Sequence, residues 1–150
     1  MIKFRFPLIL ATFAFASTAL AQDTTNFPTI GGITRLDPAF DALIAPGTKI
    51  EVLASGFTWS EGPVWDRANE RLLFSDVPEN RIHTWSEASG LSVFMEPSGY
   101  TGVFPHTRGK GSNGLTFDAA GQLVLCEHGD RRVSVLLNDG GKRTLTDNYQ

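Results

Sequence analysis

The 150-residue sequence holds a single cysteine, Cys126, so no intrachain disulfide can form even in an oxidising compartment. Stability must come from packing or from a bound ion. Clustered lysine and arginine are also missing, and the formal net charge is −3. That balance gives no footing for nucleic acid or for an anionic membrane surface, both of which need concentrated positive charge. A membrane-crossing helix needs about 20 apolar residues. The apolar stretch from Pro7 to Leu20 falls short of this and is poorly flanked for a span.

What is present at the start has another meaning. Lys3 and Arg5 precede that short apolar stretch, and Ala19-Leu20-Ala21 gives the small-x-small pattern of a cleavage site. Residues 1–21 are expected to be a removed secretory signal, which places the mature chain in a periplasmic or extracellular space, with a bacterial source suspected. Hydrophobic residues at 41% and aromatics at 11% suffice for a folded core.

Residues 22–48 read as a lead-in segment. Its first part, QDTTNFPTIGGITR, is polar and is expected to be mobile. Its second part carries a short helix signal, with Asp37 as N-cap, Pro38 in the first helical position, and Pro46-Gly47 as the stop. From Lys49 the pattern changes to short strands: IEVLA, GPVWD, RLLFSD, RIHTW and LSVFM, separated by the turn formers DRANE, VPEN and SEASG.

The sequence repeats itself. Laying Glu61 on Asn113, a shift of 52 residues, brings EGPVWD onto NGLTFD and LLFSD onto VLCEH, and a one-residue slip sets NRIHTW over RRVSVL. A period of this size built from about four strands is that of a β-propeller blade. Residues 49–150 are therefore expected to be a partial all-β propeller of about two blades, from the N-terminal part of a longer protein. Alone, such an open stack is expected to be inactive and poorly stable, because it leaves strand edges and an apolar face uncovered.

The candidate chemistry follows from the repeat. A carboxylate withdrawn from water must be paired or bind a metal, and Glu61 stands among aromatic residues in WSEGPVW. It is a candidate ligand for a hard cation, with capping of backbone amides at a strand entrance as the alternative. Pro63 suits an edge strand, where its missing N–H breaks no ladder. Asn113 occupies the matching place in the second unit, either as a polar contact to substrate or as a turn residue in Ser-Asn-Gly. His128 falls on Asp76 in this alignment; a histidine there can serve as acid, base or hydrogen-bond donor, whereas Asp76 reads as a cap. Cys126 and His128 share a strand face by their spacing, too few donors for a zinc site, and Cys126 reads as a small buried hydrophobe. Gly109, Gly111 and Gly114 match G-x-G-x-x-G, but a strand follows them, not a helix, so they mark a loop. The segment PSGYTGVFPHTRGKGS, with His106, Arg108 and Lys110, is long enough to suggest a lid.

The stretches RLDPAFDALIAPGTKIEVLASGFTWSEGPVW, RLLFSDVPENRIHTW and GSNGLTFDAAGQLVLCEHGDRRV resemble the SMP-30/gluconolactonase/LRE-like family, most specifically in SEGPVW and NGLTFD. The resemblance implies a six-bladed propeller that holds a divalent ion, Ca²⁺ before Zn²⁺ or Mn²⁺, and hydrolyses lactones. It implies a metal-ligand role for Glu61 and a substrate-side role for Asn113. The more distant paraoxonases, also lactonases, carry a functional histidine where a looser alignment places His128. Animal members have an arginine two residues before the asparagine, where this chain has Gly111. The family's later metal-binding asparagine and its general-base aspartate would lie beyond Gln150. The rival expectation is a non-catalytic propeller that binds a ligand or protein around a structural ion, since fold alone does not fix function.

Overall fold

A computed structural model describes residues 27–102 and 110–148. The expected signal at 1–21, the first residues of the lead-in, and His106, Arg108 and Gly109 lie outside the described residues. The chain divides into two compact units, Met1–Leu53 and Ala54–Gln150. No helix among the described residues is long and apolar enough to cross a membrane.

In the first unit, the helix signal forms a single 3₁₀ turn, Pro38–Ala42, in which the Asp37 carboxylate accepts from the Ala39 amide at 2.7 Å. Arg35 closes its far end, donating to the carbonyls of Ile44 and Ala45, each at 2.7 Å. The expected strand IEVLA does not form. Residues 50–52 make only an isolated bridge with the lead-in, Thr29 opposite Glu51, with Ile30 N–H donating to Ile50 O and Val52 N–H to Pro28 O. Part of the lead-in expected to be mobile is thus tied to this segment.

The described residues of the second unit hold eight strands: β1 (Ser60–Asp66), β2 (Arg71–Asp76), β3 (Arg81–Ser86), β4 (Gly90–Met95), β5 (Ser112–Phe117), β6 (Leu123–Glu127), β7 (Arg132–Leu136) and β8 (Lys142–Thr146). They make two antiparallel four-stranded meanders, β1-β2-β3-β4 and β5-β6-β7-β8. Each hairpin forms where turn chemistry appears in the sequence. Asp66 binds the Asn69 amide and side chain and the Arg71 guanidinium across the first turn. Asn80 takes a left-handed φ of 58° at the end of VPEN, a conformation that asparagine tolerates better than most residues. In the second meander, Asp118 accepts from the Ala120 and Gln122 amides.

Both first strands carry an irregularity near their start, between Glu61 and Val64 in β1 and between Ser112 and Leu115 in β5, positions one residue apart in the repeat. The repeat is therefore structural. β1 lies at an edge of its sheet, where Pro63 costs no ladder bond; Trp59 and Trp65 are exposed, so WSEGPVW is a half-open edge and not a buried strand.

The core lies between the sheets. Leu73 and Ile82 of the first are buried against Leu123 and Leu125 of the second, with Val64, Phe94, Leu115 and Phe117 packed around them. Each such side chain contributes about 1.5–3 kcal/mol on burial. No buried side-chain nitrogen or oxygen among the described residues lacks a partner.

Asp66 is the buried carboxylate at the β1–β2 turn. Burial alone would raise its pKa, but hydrogen bonds from Arg71 and Asn69 and the Arg71 charge outweigh burial and hold it below the usual carboxylate range. A carboxyl depressed on folding adds stability that is present above the unfolded pKa, about 3.9, and is lost as pH falls through the lower folded value. Asp66→Asn should cost about 1–3 kcal/mol at neutral pH. The deficit should shrink below about pH 4, as read by denaturant unfolding of both proteins across pH. A deficit independent of pH would reject this role.

Candidate functional site

The starts of β1 and β5 lie against each other. Gly62 has φ 56°, and a Cβ placed on it would stand 2.2 Å from the Asn113 carbonyl oxygen. No side chain fits there, so only glycine lets the two backbones meet. The contact is fastened from below by hydroxyls: Ser75 Oγ hydrogen-bonds Ser112 Oγ at 2.8 Å and donates to Asn113 O at 3.0 Å. The Ser112 amide in turn donates to Ser98 Oγ at 3.0 Å.

Asp76 fixes the approach to β1. Its buried carboxylate accepts the amides of Thr58 and Trp59, each at 3.0 Å, and Val77 N–H donates to Trp59 O at 3.1 Å. This acid is a structural cap, on the amides that enter β1 rather than on the turn that follows it. Glu61 is half-buried on the strand so anchored, and its Oε1 accepts from the Trp59 indole N–H at 3.0 Å. The aromatic neighbour in WSEGPVW is thus a hydrogen-bond partner that orients the carboxylate.

On the second sheet, Asn113 and His128 come together in a cavity of about 330 Å³ that Cys126, Arg131 and Arg132 also line. His128 follows β6, is exposed, and donates its backbone N–H to Gly111 O at 3.2 Å. Glu61 is not part of this lining; it lies on the neighbouring strand, joined to Asn113 through the Gly62 contact.

Two expectations are corrected here. Cys126 is exposed, because the alternation of β6 turns Leu123, Leu125 and Glu127 inward and Cys126 to the opposite, open face. The strand pairing sets Ser60 opposite Asp76 and Ser112 opposite Glu127, so Glu127, not His128, is the counterpart of Asp76. The alignment by residue type missed this because β6 and β7 run one residue short of the exact repeat.

Glu127, passed over in the sequence, is the buried charge of the site. Its carboxylate accepts from Arg132 Nε at 2.8 Å, from the Ser134 hydroxyl, and pairs with Lys142 Nζ at 3.2 Å. Lys142 also donates to Ser98 O at 2.7 Å, joining β8 to the segment that links the sheets. Such a paired and hydrogen-bonded carboxylate is tolerated in an interior, and loss of one partner strands the other. Acid and arginine five residues apart across a hairpin occur both as Asp66/Arg71 and as Glu127/Arg132. That spacing was the available signal.

The expected lid lies partly outside the described residues. Its first part is held: Asn80 Oδ1 accepts the amides of Ser98, Gly99 and Tyr100, and the Asp130 carboxylate binds both the amide and the hydroxyl of Thr101. No group of three or more His, Cys, Asp or Glu placed to hold a metal ion occurs among the described residues. Glu61 offers a hard carboxylate donor of the kind that Ca²⁺ takes, though only as one ligand of a larger set.

Fold and site together define a repeat protein of four-stranded antiparallel sheets with oxygen-bearing side chains at the starts of adjoining strands. The chain belongs to the SMP-30/gluconolactonase/LRE-like family, whose model matches residues 59–150. It is 37% identical over 137 residues to a gluconolactonase of Zymomonas mobilis subsp. mobilis, covering 89% of this chain and 38% of that protein. A solved gluconolactonase of Xanthomonas campestris superposes with a TM-score of 0.63 at 28% identity, over 84% of this chain and 37% of the other. The chain therefore spans less than two fifths of the length of either relative.

Gly62→Ala should be costly, since the new methyl collides with backbone and the left-handed φ adds strain. A loss of about 2–4 kcal/mol is expected, read as a lowered thermal midpoint. An unchanged midpoint would show that the two strand starts do not meet as described.

Proposed function

We propose that this sequence supplies the first two blades of a six-bladed β-propeller that hydrolyses a sugar lactone or a related lactone. The supporting observation is the joined start of β1 and β5, which sets Glu61 and Asn113 on adjoining first strands, with Asn113 sharing a cavity with His128. The match to gluconolactonases supports the reaction class. Residues 1–21 direct export, and the substrate is a small molecule, with no role for nucleic acid or, after signal cleavage, for a membrane.

Glu61 is the ligand this chain gives to a divalent ion, Ca²⁺ by its oxygen chemistry, with Zn²⁺ or Mn²⁺ as alternatives; the other ligands belong to the rest of the protein. A bound ion of this kind supplies Lewis acidity to a carbonyl group and lowers the pKa of water. The Trp59 indole N–H keeps one Glu61 oxygen engaged and so limits the carboxylate to few orientations. The Asn113 amide, with its main chain held by Ser75, orients the lactone by hydrogen bonds to its oxygens. His128 offers a ring nitrogen at the same cavity as donor or acceptor. In the reaction, water adds to the lactone carbonyl and loses a proton to a base; the ring C–O bond then breaks and the alcohol oxygen gains a proton. That base is an aspartate that the family resemblance puts beyond Gln150.

In the whole protein, Glu61→Gln should weaken Ca²⁺ binding at least about tenfold, by calorimetry, and lower lactone opening in a pH-stat assay in parallel. Asn113→Ala should raise KM or lower kcat with metal affinity unchanged. Unaltered ion affinity in Glu61→Gln would reject its ligand role. A protein that binds the ion yet opens no lactone, before or after chelation, would be a non-catalytic binding propeller.

A further inference from the structure

β2 ends in two buried polar residues, Ser75 and Asp76, exposed by 0% and 2%. Successive residues of a strand point to opposite faces, and these two reach different halves of the candidate site. Asp76 accepts the Thr58 and Trp59 amides, and the Trp59 indole donates to Glu61, so that half is anchored through the segment entering β1. Ser75 stands opposite Glu61 in the ladder, and its hydroxyl donates across to the second sheet, to Asn113 O at 3.0 Å.

The direction of the hydroxyl bonds follows from the protons available. A serine hydroxyl has one proton and two acceptor lone pairs. Ser75 gives its proton to Asn113 O, so in the 2.8 Å contact between Ser75 and Ser112 it is Ser112 that donates. The order is Ser112 O–H to Ser75 O–H to Asn113 C=O, and each bond of such a chain polarises the next. The Ser112 amide donates to Ser98 Oγ, so Ser112 is held by its main chain as well as its side chain. Ser75 and Ser112 are fully buried, and bulk water does not replace either bond.

Asn113 lies within the register shift between Ser112 and Leu115. An irregularity of this kind re-aims the side chain it carries, and the ladder alone does not fix it. Gly62 closes on the Asn113 carbonyl oxygen from β1, and Ser75 binds that same oxygen from β2. An alanine at position 75 would leave the buried carbonyl with one donor fewer. It would also replace a directional contact by one without direction.

We propose that Ser75 is a positioning residue for Asn113. Its hydroxyl fixes the main chain of the substrate-side residue relative to the strand that carries Glu61, so the spacing of the two half-sites is set from β2. The kinetic consequence rests on the lactonase reading, whereas the contact itself does not.

The test uses the whole protein. Ser75→Ala should lower kcat/KM for the lactone about three- to tenfold, with Ca²⁺ affinity by calorimetry unchanged, because Glu61 is held by Trp59. Ile82→Val, a core change of comparable cost in stability, should lower the thermal midpoint without that kinetic loss. In an Asn113→Ala background, Ser75→Ala should cause no further fall in kcat/KM. Hydrogen exchange read by mass spectrometry needs no turnover: Ser75→Ala should speed exchange of the amides at 112–115 about three- to tenfold relative to Ile82→Val. Equal kinetic losses in Ser75→Ala and Ile82→Val, a parallel loss of Ca²⁺ affinity, losses that multiply in the double variant, or unaltered exchange at 112–115 would each overturn the proposal. If the unsubstituted protein opens no lactone while exchange at 112–115 rises in Ser75→Ala, the positioning contact stands and the lactonase reading falls.

Discussion

The arrangement depends on one close approach: the backbone at Gly62 lying against the Asn113 carbonyl. Sheets usually pack about 10 Å apart, with side chains between them. At this end of the unit the two first strands come far nearer, and a left-handed glycine is what makes room. The hydroxyls of Ser75, Ser112 and Ser98 supply hydrogen-bond partners to the backbone groups that this approach removes from water. Glu61 directly precedes the glycine of this contact and Asn113 supplies its carbonyl, so the approach brings together the strand starts that carry them.

Around that contact, buried or half-buried polar groups do the positioning and apolar groups supply the drive. Asp76, Asn80, Asp130 and Glu127 each tie a loop or strand end to a neighbouring element. Their cost of burial is offset by multiple donors, which makes each contact directional in a way that leucine packing is not. Lys142 extends this system between sheets by bridging Glu127 and Ser98 O. The candidate cavity rests on this network, with His128, Asn113 and Glu127 all in its lining.

Much of the fold was legible. Strand periodicity and turn chemistry located all the strands from GPVWD to LSVFM, and the 52-residue repeat carried the pattern into the second sheet. IEVLA failed because alternation alone does not supply a partner strand; among the described residues only Thr29 bridges to it. The pairing of Glu127 with Ser112 was hidden because a one-residue slip in the repeat moves a side chain to the other face of the sheet. The same parity put Cys126 on the open side.

The sequence by itself determined which residues turn, which alternate, and that the pattern recurs, since these follow from local backbone preference and side-chain period. It also marked Glu61 and Asn113 as counterparts, because a repeat is a property of the string. Tertiary structure alone decided which acids are buried and held, which face of each sheet remains open, and that Asn113 and His128 share one cavity while Glu61 stands one strand away. Those outcomes depend on register and on the approach of one sheet to another. Both are set by contacts between residues distant along the chain, which no local pattern encodes.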